Sequence, residues 1–320
     1  MKKTVFIQGL KPNQPVRDNF LVRNQTRRTG RTGSAYLDLE LQDSTGVISA
    51  RLWDCDKLPV DFEADDIVFV NATAEEYQGT LQLRLDNIRK TLSTDIDRRD
   101  FLPASRQNPE EMYAALLARV SRMNEGPLRQ LVGAVLSDSE IAGKYKRAPA
   151  ATAFHHAYLG GLLEHVLSLV ALGDKVSDHY PHLDRDLVLA GIILHDLGKI
   201  EELSYEGGLR YSTRGQLLGH IAIGLEIVSE KVRSIPDFPP GLKDRIEHII
   251  LCHHGRLEFG SPKEPMFPEA LVVHYLDDLD SKLESMRAQY AADLGRAGDW
   301  TTRNRALGRE LLKKGVGSGE

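Results

Sequence analysis

The hydrophobic pattern of this chain changes its period once, and this change limits the folds it can adopt more than any other feature. Between about residue 19 and residue 90, apolar and polar residues alternate, most clearly in residues 36–41, 47–53 and 81–85. Alternation with period two is typical of half-buried strands. From about residue 145 to residue 292, apolar residues recur at helical spacing instead. The sequence therefore predicts a multidomain α and β chain, with a β unit followed by an all-α unit.

The β part has turn signals between its strand segments, at residues 43–46 and 78–80. Several short strands separated by such turns favour a closed or nearly closed barrel. The order of features resembles an OB-fold of the nucleic-acid-binding kind. The cues are two strands joined at residues 43–46, Trp53-Asp54 at the end of the third strand, and the run at residues 65–72. The resemblance implies an OB-fold domain over residues 1–92 that binds single-stranded nucleic acid.

An arginine-rich segment, residues 23–33, lies between two predicted strands, where we expect a glycine-bearing loop. Its arginines are Arg23, Arg27, Arg28 and Arg31. Guanidinium groups there would contact the phosphates of a single strand, while Tyr36, Trp53 or Tyr77 would stack on its bases. The alternative is a solvated hairpin whose charges keep the barrel in solution. Since the net charge is −5, the chain as a whole does not attract nucleic acid, and a local patch would be needed.

The rest of the chain divides by composition. Residues 93–144 are predicted to be a linker and helical spacer, residues 145–292 a helical domain, and residues 293–320 a C-terminal helix and tail. The N-terminus has no long apolar run, and the central run at residues 187–194 is too short to span a bilayer. We therefore expect a cytoplasmic protein with no membrane association. Cys55 and Cys252 fall in different predicted domains, so no disulfide is expected.

All eleven histidines lie in the helical part, between residues 155 and 274. An ordered subset lies at the ends of apolar helices or beside glycine: His165, His195-Asp196, His220, His253-His254 and the later Asp277. Such ionisable groups are expensive to bury without partners, and a shared divalent metal, whose ligands are imidazoles and carboxylates, removes that cost. Taken singly, His165 or His220 would be a hydrogen-bonded core histidine. Gly198 is expected to cap the helix that ends near His195.

The ordered set resembles the HD superfamily of helical metal phosphohydrolases, over residues 145–292. The resemblance implies core metal ligands at His165, His195, Asp196 and Asp277, and a second metal or the substrate phosphate at His220, His253 and His254. It implies catalytic roles for His195, Asp196, Lys199 and His220, with Lys199 on the phosphate. Asp277 is preferred to Asp278 because another acid, Asp280, follows it by three residues. The ion would lower the pKa of a bound water from ~15.7 toward about 7.

Two departures from variants of the superfamily limit the metal count and the substrate. Relatives with three metals carry a glutamate one helical turn before the first histidine, where this chain has Gly161. The Gly-Tyr-Pro signature of cyclic-dinucleotide phosphodiesterases is missing after His253-His254. We therefore expect one or two divalent ions per chain, with manganese preferred and iron, cobalt, nickel or zinc as alternatives.

The whole arrangement resembles the YhaM-type 3′-to-5′ exoribonucleases, which combine an OB-fold, a helical spacer and an HD domain. Matching segments are residues 154–158 before 160–165, residues 274–280, and residues 300–301 with 306–309. The resemblance implies hydrolysis of single-stranded RNA, with single-stranded DNA as a further candidate, and a homo-oligomer. It places His155, His156, Lys146 and Arg147 along the substrate path. Hydrogen bonding at a helix start would explain the His155-His156 pair equally well.

Two other functions stay open at this point. One is an HD nucleotidase or cyclic-nucleotide phosphodiesterase that uses the barrel as a scaffold. The other is a regulator that binds single-stranded nucleic acid and whose histidine cluster is structural. The presence of a ligand residue at every position of the superfamily pattern argues against the regulator.

Overall fold

The computed structural model describes residues 3–30, 33–55, 61–92, 96–152, 156–205 and 207–313. The chain forms two compact units, Met1–Ala104 with Ser204–Leu209, and Ser105–Leu203 with Arg210–Glu320. The predicted boundary after residue 92 therefore lies inside the first unit. The finer division at residues 92, 144 and 292 stays a prediction.

The first unit contains a closed five-stranded barrel. Its strands are β1 (Pro15–Thr29), β2 (Ala35–Asp43), β3 (Gly46–Trp53), β4 (Ile67–Tyr77) and β5 (Thr80–Lys90). The order around the barrel is β1-β2-β3-β5-β4, and β4 pairs with β1 to close it. β3 and β5 pair in parallel, while the other pairs are antiparallel. This arrangement confirms the predicted OB-fold.

The barrel core comes from the inward positions of the alternating segments. Buried side chains include Phe20, Val22, Leu39, Leu41, Val70 and Leu83. Because successive side chains on a strand point to opposite faces, the residues between them lie on the outside of the barrel. The period-two pattern therefore located these strands correctly.

The arginine-rich segment differs from its prediction. β1 continues to Thr29, so Arg23, Arg27 and Arg28 lie on a strand and not on a loop. Opposite them, Leu37 pairs with Arg27 and Tyr36 pairs with Arg28 across β2. Pairing with β2 supplies backbone hydrogen bonds that a loop would have to take from water, which explains why the strand extends this far. Arg31 lies outside the described residues.

The second unit is helical, as predicted. Its helices are α1 (Pro109–Val120), α2 (Pro127–Leu136), α3 (Ser139–Tyr145), α4 (Gly161–His179), α5 (Arg185–Leu194), α6 (Lys199–Glu202), α7 (Thr213–Arg233), α8 (Pro240–Cys252) and α9 (Pro268–Ala292). Two short strands, β6 (Leu203–Ser204) and β7 (Arg210–Tyr211), fall between α6 and α7 in the chain. Across the described part of the chain, no helix combines the length and apolar character that crossing a membrane requires.

Side-chain caps set where several helices begin. Asp184 accepts hydrogen bonds from the backbone N–H groups of Asp186 and Leu187, which starts α5. Ser212 accepts from the Gly215 N–H and starts α7. Such caps satisfy backbone donors that have no partner within the helix. Because α5 begins at Arg185 and ends at Leu194, His195 and Asp196 follow directly at its C-terminal end.

Close packing at Gly198 contradicts the predicted cap. Gly198 has φ −62° and precedes α6, so it is not a left-handed cap of α5. A Cβ atom on Gly198 would collide with the carbonyl oxygen of His220. Glycine is needed here because the two backbones touch, and this contact brings the segment after Asp196 against α7.

The predicted C-terminal helix was wrong. α9 ends at Ala292, and residues 293–313 form turns with isolated bridges between Trp300 and Leu312 and between Asn304 and Arg309. Gly298 and Gly308 adopt positive φ values of 88° and 65°, which are incompatible with a continuing right-handed helix. Residues 314–320 lie outside the described part of the chain.

Candidate metal centre

Four of the predicted ligands converge in the middle of the second unit. His165 comes from α4, His195 and Asp196 from the end of α5, and Asp277 from α9, with one ligand atom of each within 4.8 Å of the others. The Nε2 atom of His165 lies 3.2 Å from Oδ1 of Asp277, and Nε2 of His195 lies 3.3 Å from Oδ2 of Asp196. Ligand bonds of about 2.0–2.2 Å place neighbouring donors roughly 3–3.5 Å apart. These four residues are called the first ligand group.

The first ligand group contains polar atoms that the surrounding protein does not satisfy. Among the described residues, His195 Nε2 and both carboxylate oxygens of Asp196 are buried and make no hydrogen bond. The Lys199 ammonium lies 2.7 Å from Asp196 Oδ2, but outside hydrogen-bond geometry. A buried carboxylate in this condition costs several kcal/mol in the absence of a further cation. The residues present therefore fit a divalent metal ion.

Three further histidine side chains lie next to the first ligand group. His220, His253 and His254 also bring one ring nitrogen each within 4.8 Å of one another, and they are called the second ligand group. Nε2 of His220 and Nε2 of His253 are 3.4 Å apart. Both lie 3.6 Å from Oδ1 of Asp196, whereas Oδ2 of Asp196 faces His195 and His165. Asp196 is thus placed between the two groups.

Backbone carbonyls orient three of the ligand histidines. Each of these histidines uses its Nδ1–H to donate to a carbonyl oxygen: His195 to Ile192 (2.8 Å), His253 to Ile250 (2.7 Å) and His254 to Phe259 (3.0 Å). A carbonyl can only accept, so the hydrogen is assigned to Nδ1 in each ring. Nε2 is therefore left with a lone pair for a metal.

Carboxylates orient the other two histidines. His165 Nδ1 lies 2.7 Å from Asp280 Oδ2, and Ser168 donates to the other oxygen of Asp280 at 2.5 Å. His220 donates to Glu202 Oε1 twice, from Nδ1 at 3.0 Å and from its backbone N–H at 2.9 Å. Gly219 makes the second bond available, because its φ of 72° breaks α7 just before His220. Asp280 and Glu202 are called the orienting carboxylates.

The pKa shifts in the first ligand group follow from its burial and its close opposite charges. Burial lowers the pKa of His165, but its hydrogen bonds to Asp277 and Asp280 outweigh burial and raise that pKa to about 9. Burial raises the pKa of Asp277, but the hydrogen bond from His165 outweighs it and holds the pKa well below its usual range. Asp277 is therefore ionised, as a carboxylate that binds a cation must be, and the carboxylates that raise the pKa of His165 would equally attract a metal ion.

In the second ligand group, the pKa values of two histidines are lowered. Burial, together with neighbouring His254 and His195, lowers the pKa of His253 well below its usual value. Burial and His220 lower the pKa of His254. Both imidazoles are therefore neutral near pH 7, which is the form that binds a metal or accepts a hydrogen bond.

A cavity of about 340 Å³ opens onto this centre. Its lining includes Lys199, His220, His253, His254 and Asp277. Burial lowers the pKa of Lys199, but the Asp196 carboxylate outweighs it and raises that pKa, so the ammonium stays charged. A phosphate entering the cavity would meet this charge and the second ligand group.

The residues predicted to lie along the substrate path are not gathered at the metal centre. His155 lies outside the described residues. His156 is buried, and its Nε2 bonds Asp280 at 3.0 Å. Lys146 pairs with Glu110 at 2.8 Å, and Arg147 is exposed. None of the described three lines the 340 Å³ cavity, so their substrate role stays a proposal.

The barrel presents two different basic surfaces. On the predicted one, Arg28 pairs with Asp38 at 3.1 Å, and Tyr36 stacks on Trp53 with ring centroids 4.7 Å apart. A groove of about 300 Å³ on β1, β4 and β5 is the second, lined by Arg17, Phe69, Asn71, Asn87 and Arg89. Arg89 lies over the Phe69 ring at 5.2 Å, and no carboxylate within the described residues pairs with either groove arginine. No pattern in the sequence indicated this groove.

An OB-fold barrel followed by helices that bring histidines and aspartates to one buried centre defines a class, the HD-domain metal phosphohydrolases. A model of the HD domain matches residues 162–282. The 3′-5′ exoribonuclease YhaM of Bacillus subtilis (strain 168) is 35% identical over 292 residues, covering 90% of this chain and 91% of the relative. The YhaM exoribonuclease of Bacillus licheniformis is 36% identical over 303 residues, covering 93% and 94%.

The chain therefore belongs to the family of the YhaM 3′-5′ exoribonucleases, within the HD superfamily of metal-dependent phosphodiesterases. A solved domain of replication protein A from Methanococcus maripaludis is similar to a smaller part of it. That domain is 28% identical, covering 27% of this chain and 92% of the domain, with a TM-score of 0.24.

Proposed function

We propose that this protein is a 3′-to-5′ exoribonuclease that hydrolyses single-stranded RNA with a metal-activated water. The observation that carries the proposal is the buried Asp196 carboxylate, whose two oxygens face the two ligand groups and have no hydrogen bond in the described structure. The direction of cleavage and the RNA substrate are supported by the names of the relatives at 35–36% identity.

Each set of residues has a separate proposed role. His165, His195, Asp196 and Asp277 would hold the first ion; a divalent ion there would supply an activated water and polarise the phosphoryl oxygen. The second ligand group holds a second ion or the scissile phosphate. Lys199, 2.7 Å from Asp196, neutralises charge that develops on the phosphate during cleavage. With mixed imidazole and carboxylate ligands, we propose manganese, with one or two ions per chain.

The barrel is proposed to hold the polymer. Trp53 is 47% exposed and Tyr77 49% exposed, and Arg51 lies 5.3 Å from the Tyr77 ring. Exposed rings beside arginines suit the bases and phosphates of a single strand. We extend the proposal to Arg27 and Arg28, to single-stranded DNA as a further candidate substrate, to a homo-oligomer and to a cytoplasmic location.

End-labelled oligomers test the proposal. With Mn²⁺, a 3′-labelled RNA should release labelled mononucleotide at once, while a 5′-labelled RNA should shorten stepwise. Early release of the 5′ label would contradict the direction of cleavage, and internal fragments would contradict an exonuclease. Hydrolysis restricted to nucleotides or cyclic nucleotides would favour the phosphodiesterase alternative. Binding without any hydrolysis would favour the regulator.

A further inference from the structure

Two exposed aromatic side chains line the cavity that contains the second ligand group. Tyr211 is 46% exposed and Phe259 is 61% exposed. Tyr211 ends β7, and Phe259 lies five residues after His254, the second of the two histidines that follow α8. On the wall of a charged cavity, an exposed ring suits a ligand with an apolar face.

A backbone hydrogen bond at or beside each aromatic residue joins it to the second ligand group or to Glu202, which orients that group. The Phe259 carbonyl accepts the hydrogen bond of His254 Nδ1 at 3.0 Å. Next to Tyr211, the Ser212 N–H donates to the Glu202 carbonyl at 2.8 Å, and the Glu202 side chain holds His220. The backbone segments that carry the two rings are therefore anchored to the second ligand group.

The cavity volume indicates how much of a polymer can enter. At about 340 Å³ it lies at the small end of the ~300–1,000 Å³ typical of ligand sites. It therefore accepts roughly one nucleotide unit. Lys199 and the imidazoles provide partners for its phosphate, and the two rings provide apolar faces.

We propose that Tyr211 and Phe259 form a stacking site for the base of the 3′-terminal nucleotide of a polynucleotide. This proposal rests on the proposed function, because it assumes that the second ligand group faces a polynucleotide phosphate. Stacking tolerates every base, since each has a π face. It therefore suits an enzyme that removes successive nucleotides whatever their identity. Leu257, 67% exposed and two residues from Phe259, does not line the cavity and provides a matched control.

The kinetic test compares two RNA oligomers that differ only in having a base or an abasic site at the 3′-terminal position. On the oligomer with the base, Tyr211→Ala and Phe259→Ala should each raise KM roughly tenfold and leave kcat within about twofold. On the abasic oligomer both variants should match the unmodified protein. Tyr211→Phe, Phe259→Tyr and Leu257→Ala should have normal KM values.

Phe259→Leu keeps an apolar side chain while removing the ring, so it separates stacking from packing even where the alanine variant folds poorly. It should raise KM as Phe259→Ala does. A normal KM in Phe259→Leu, or an equal loss on both oligomers, would overturn the stacking site. So would a change of oligomeric state in Phe259→Ala with KM unchanged, because the ring would then belong to a protein interface.

A binding measurement keeps this proposal separate from the proposed function. The probe is an RNA with 2-aminopurine at its 3′ end and phosphorothioate linkages that slow hydrolysis, added to the full chain with Mn²⁺. Stacking should quench its fluorescence, and Phe259→Leu should remove most of the quenching. Quenching in a protein that cleaves no RNA would support the stacking site and contradict the nuclease. RNA cleavage with no quenching would overturn the stacking site alone.

Discussion

The two ligand groups lie side by side but differ in charge and in access. The first contains two carboxylates, and its His195 and Asp196 are 0% and 1% exposed. The second contains only imidazoles. Although its His253 is 1% exposed, all three of its histidines line the cavity of about 340 Å³, where the first group contributes only Asp277. A divalent ion is stabilised by nearby negative charge, so the first group should bind metal tightly and the second weakly. We infer from this difference that the first position would keep its ion during turnover, while the second position would exchange between an ion and substrate phosphate.

The largest expected effect comes from Asp196→Ala, which removes the carboxylate between the two groups. We expect a loss of hydrolysis well beyond the roughly 10–100-fold caused by losing an outer partner of a metal ligand, together with loss of bound metal. Circular dichroism should show a folded protein, and metal content should be measured on the same sample. Unchanged metal content and activity would contradict the predicted difference in metal affinity between the two groups, because neither group would then need this carboxylate.

The next largest effect should come from replacing Asp277, the predicted ligand on α9, rather than its neighbour Asp278. Asp277 lies 3.2 Å from His165 Nε2, whereas Asp278 forms a surface ion pair with Lys282 at 2.7 Å. Asp277→Asn should therefore reduce Mn²⁺ affinity and RNA hydrolysis steeply, while Asp278→Asn should change them by only a few-fold, since exposed pairs contribute little. Mn²⁺ titration of both variants checks the ranking. The reverse ranking would place the first group's carboxylate at Asp278.

The orienting carboxylates allow the two groups to be weakened separately. Asp280→Asn should lower Mn²⁺ affinity of the first group about 10–100-fold by loosening His165. Glu202→Gln should affect mainly the second group, through His220, and raise KM more than it lowers first-ion affinity. Calorimetric Mn²⁺ titrations would show which step of binding changes. If both variants weakened the same step equally, the two groups would be one site.

The smallest effect is expected from the barrel, which contributes no ligand to either group. Arg28→Ala should reduce the log–log salt dependence of single-strand binding by about 0.7 if one phosphate contact is lost. Arg99→Ala, which removes another exposed arginine paired with a carboxylate, is the matched control. Mn²⁺ affinity should be unchanged in both. An altered Mn²⁺ affinity in Arg28→Ala would show that the barrel influences the metal centre.

Sequence patterns predicted most of the strands and helices because burial imposes a period on each segment. The residues of the two groups were singled out for a related reason: burying His195-Asp196 at the end of an apolar helix costs free energy unless a cation is nearby. Their assignment as metal ligands stays a prediction. Patterns failed where contacts between distant residues decide the structure. β1 extends through Arg27 and Arg28 because β2 pairs with it. Gly198 allows its backbone to lie against that of His220 and does not cap α5.

The orienting carboxylates show the same limit. Asp280 was noted only as an acid three residues after Asp277, and nothing near it in the sequence indicates His165, which is 115 positions away. Glu202 lies 18 positions from His220, and its role depends on the break at Gly219. A carboxylate three or four residues after a predicted ligand is a usable signal, but choosing its histidine requires the fold.

The most direct test of the central claim is to titrate metal-free full-length protein with Mn²⁺ while measuring bound metal and release of the 3′-terminal nucleotide from RNA. The buried first ligand group predicts no hydrolysis without metal and activity that rises with the one or two ions bound per chain. It also predicts that Asp196→Ala neither binds the first ion nor regains activity. Full hydrolysis in chelator-treated protein, or in Asp196→Ala without bound metal, would contradict the account.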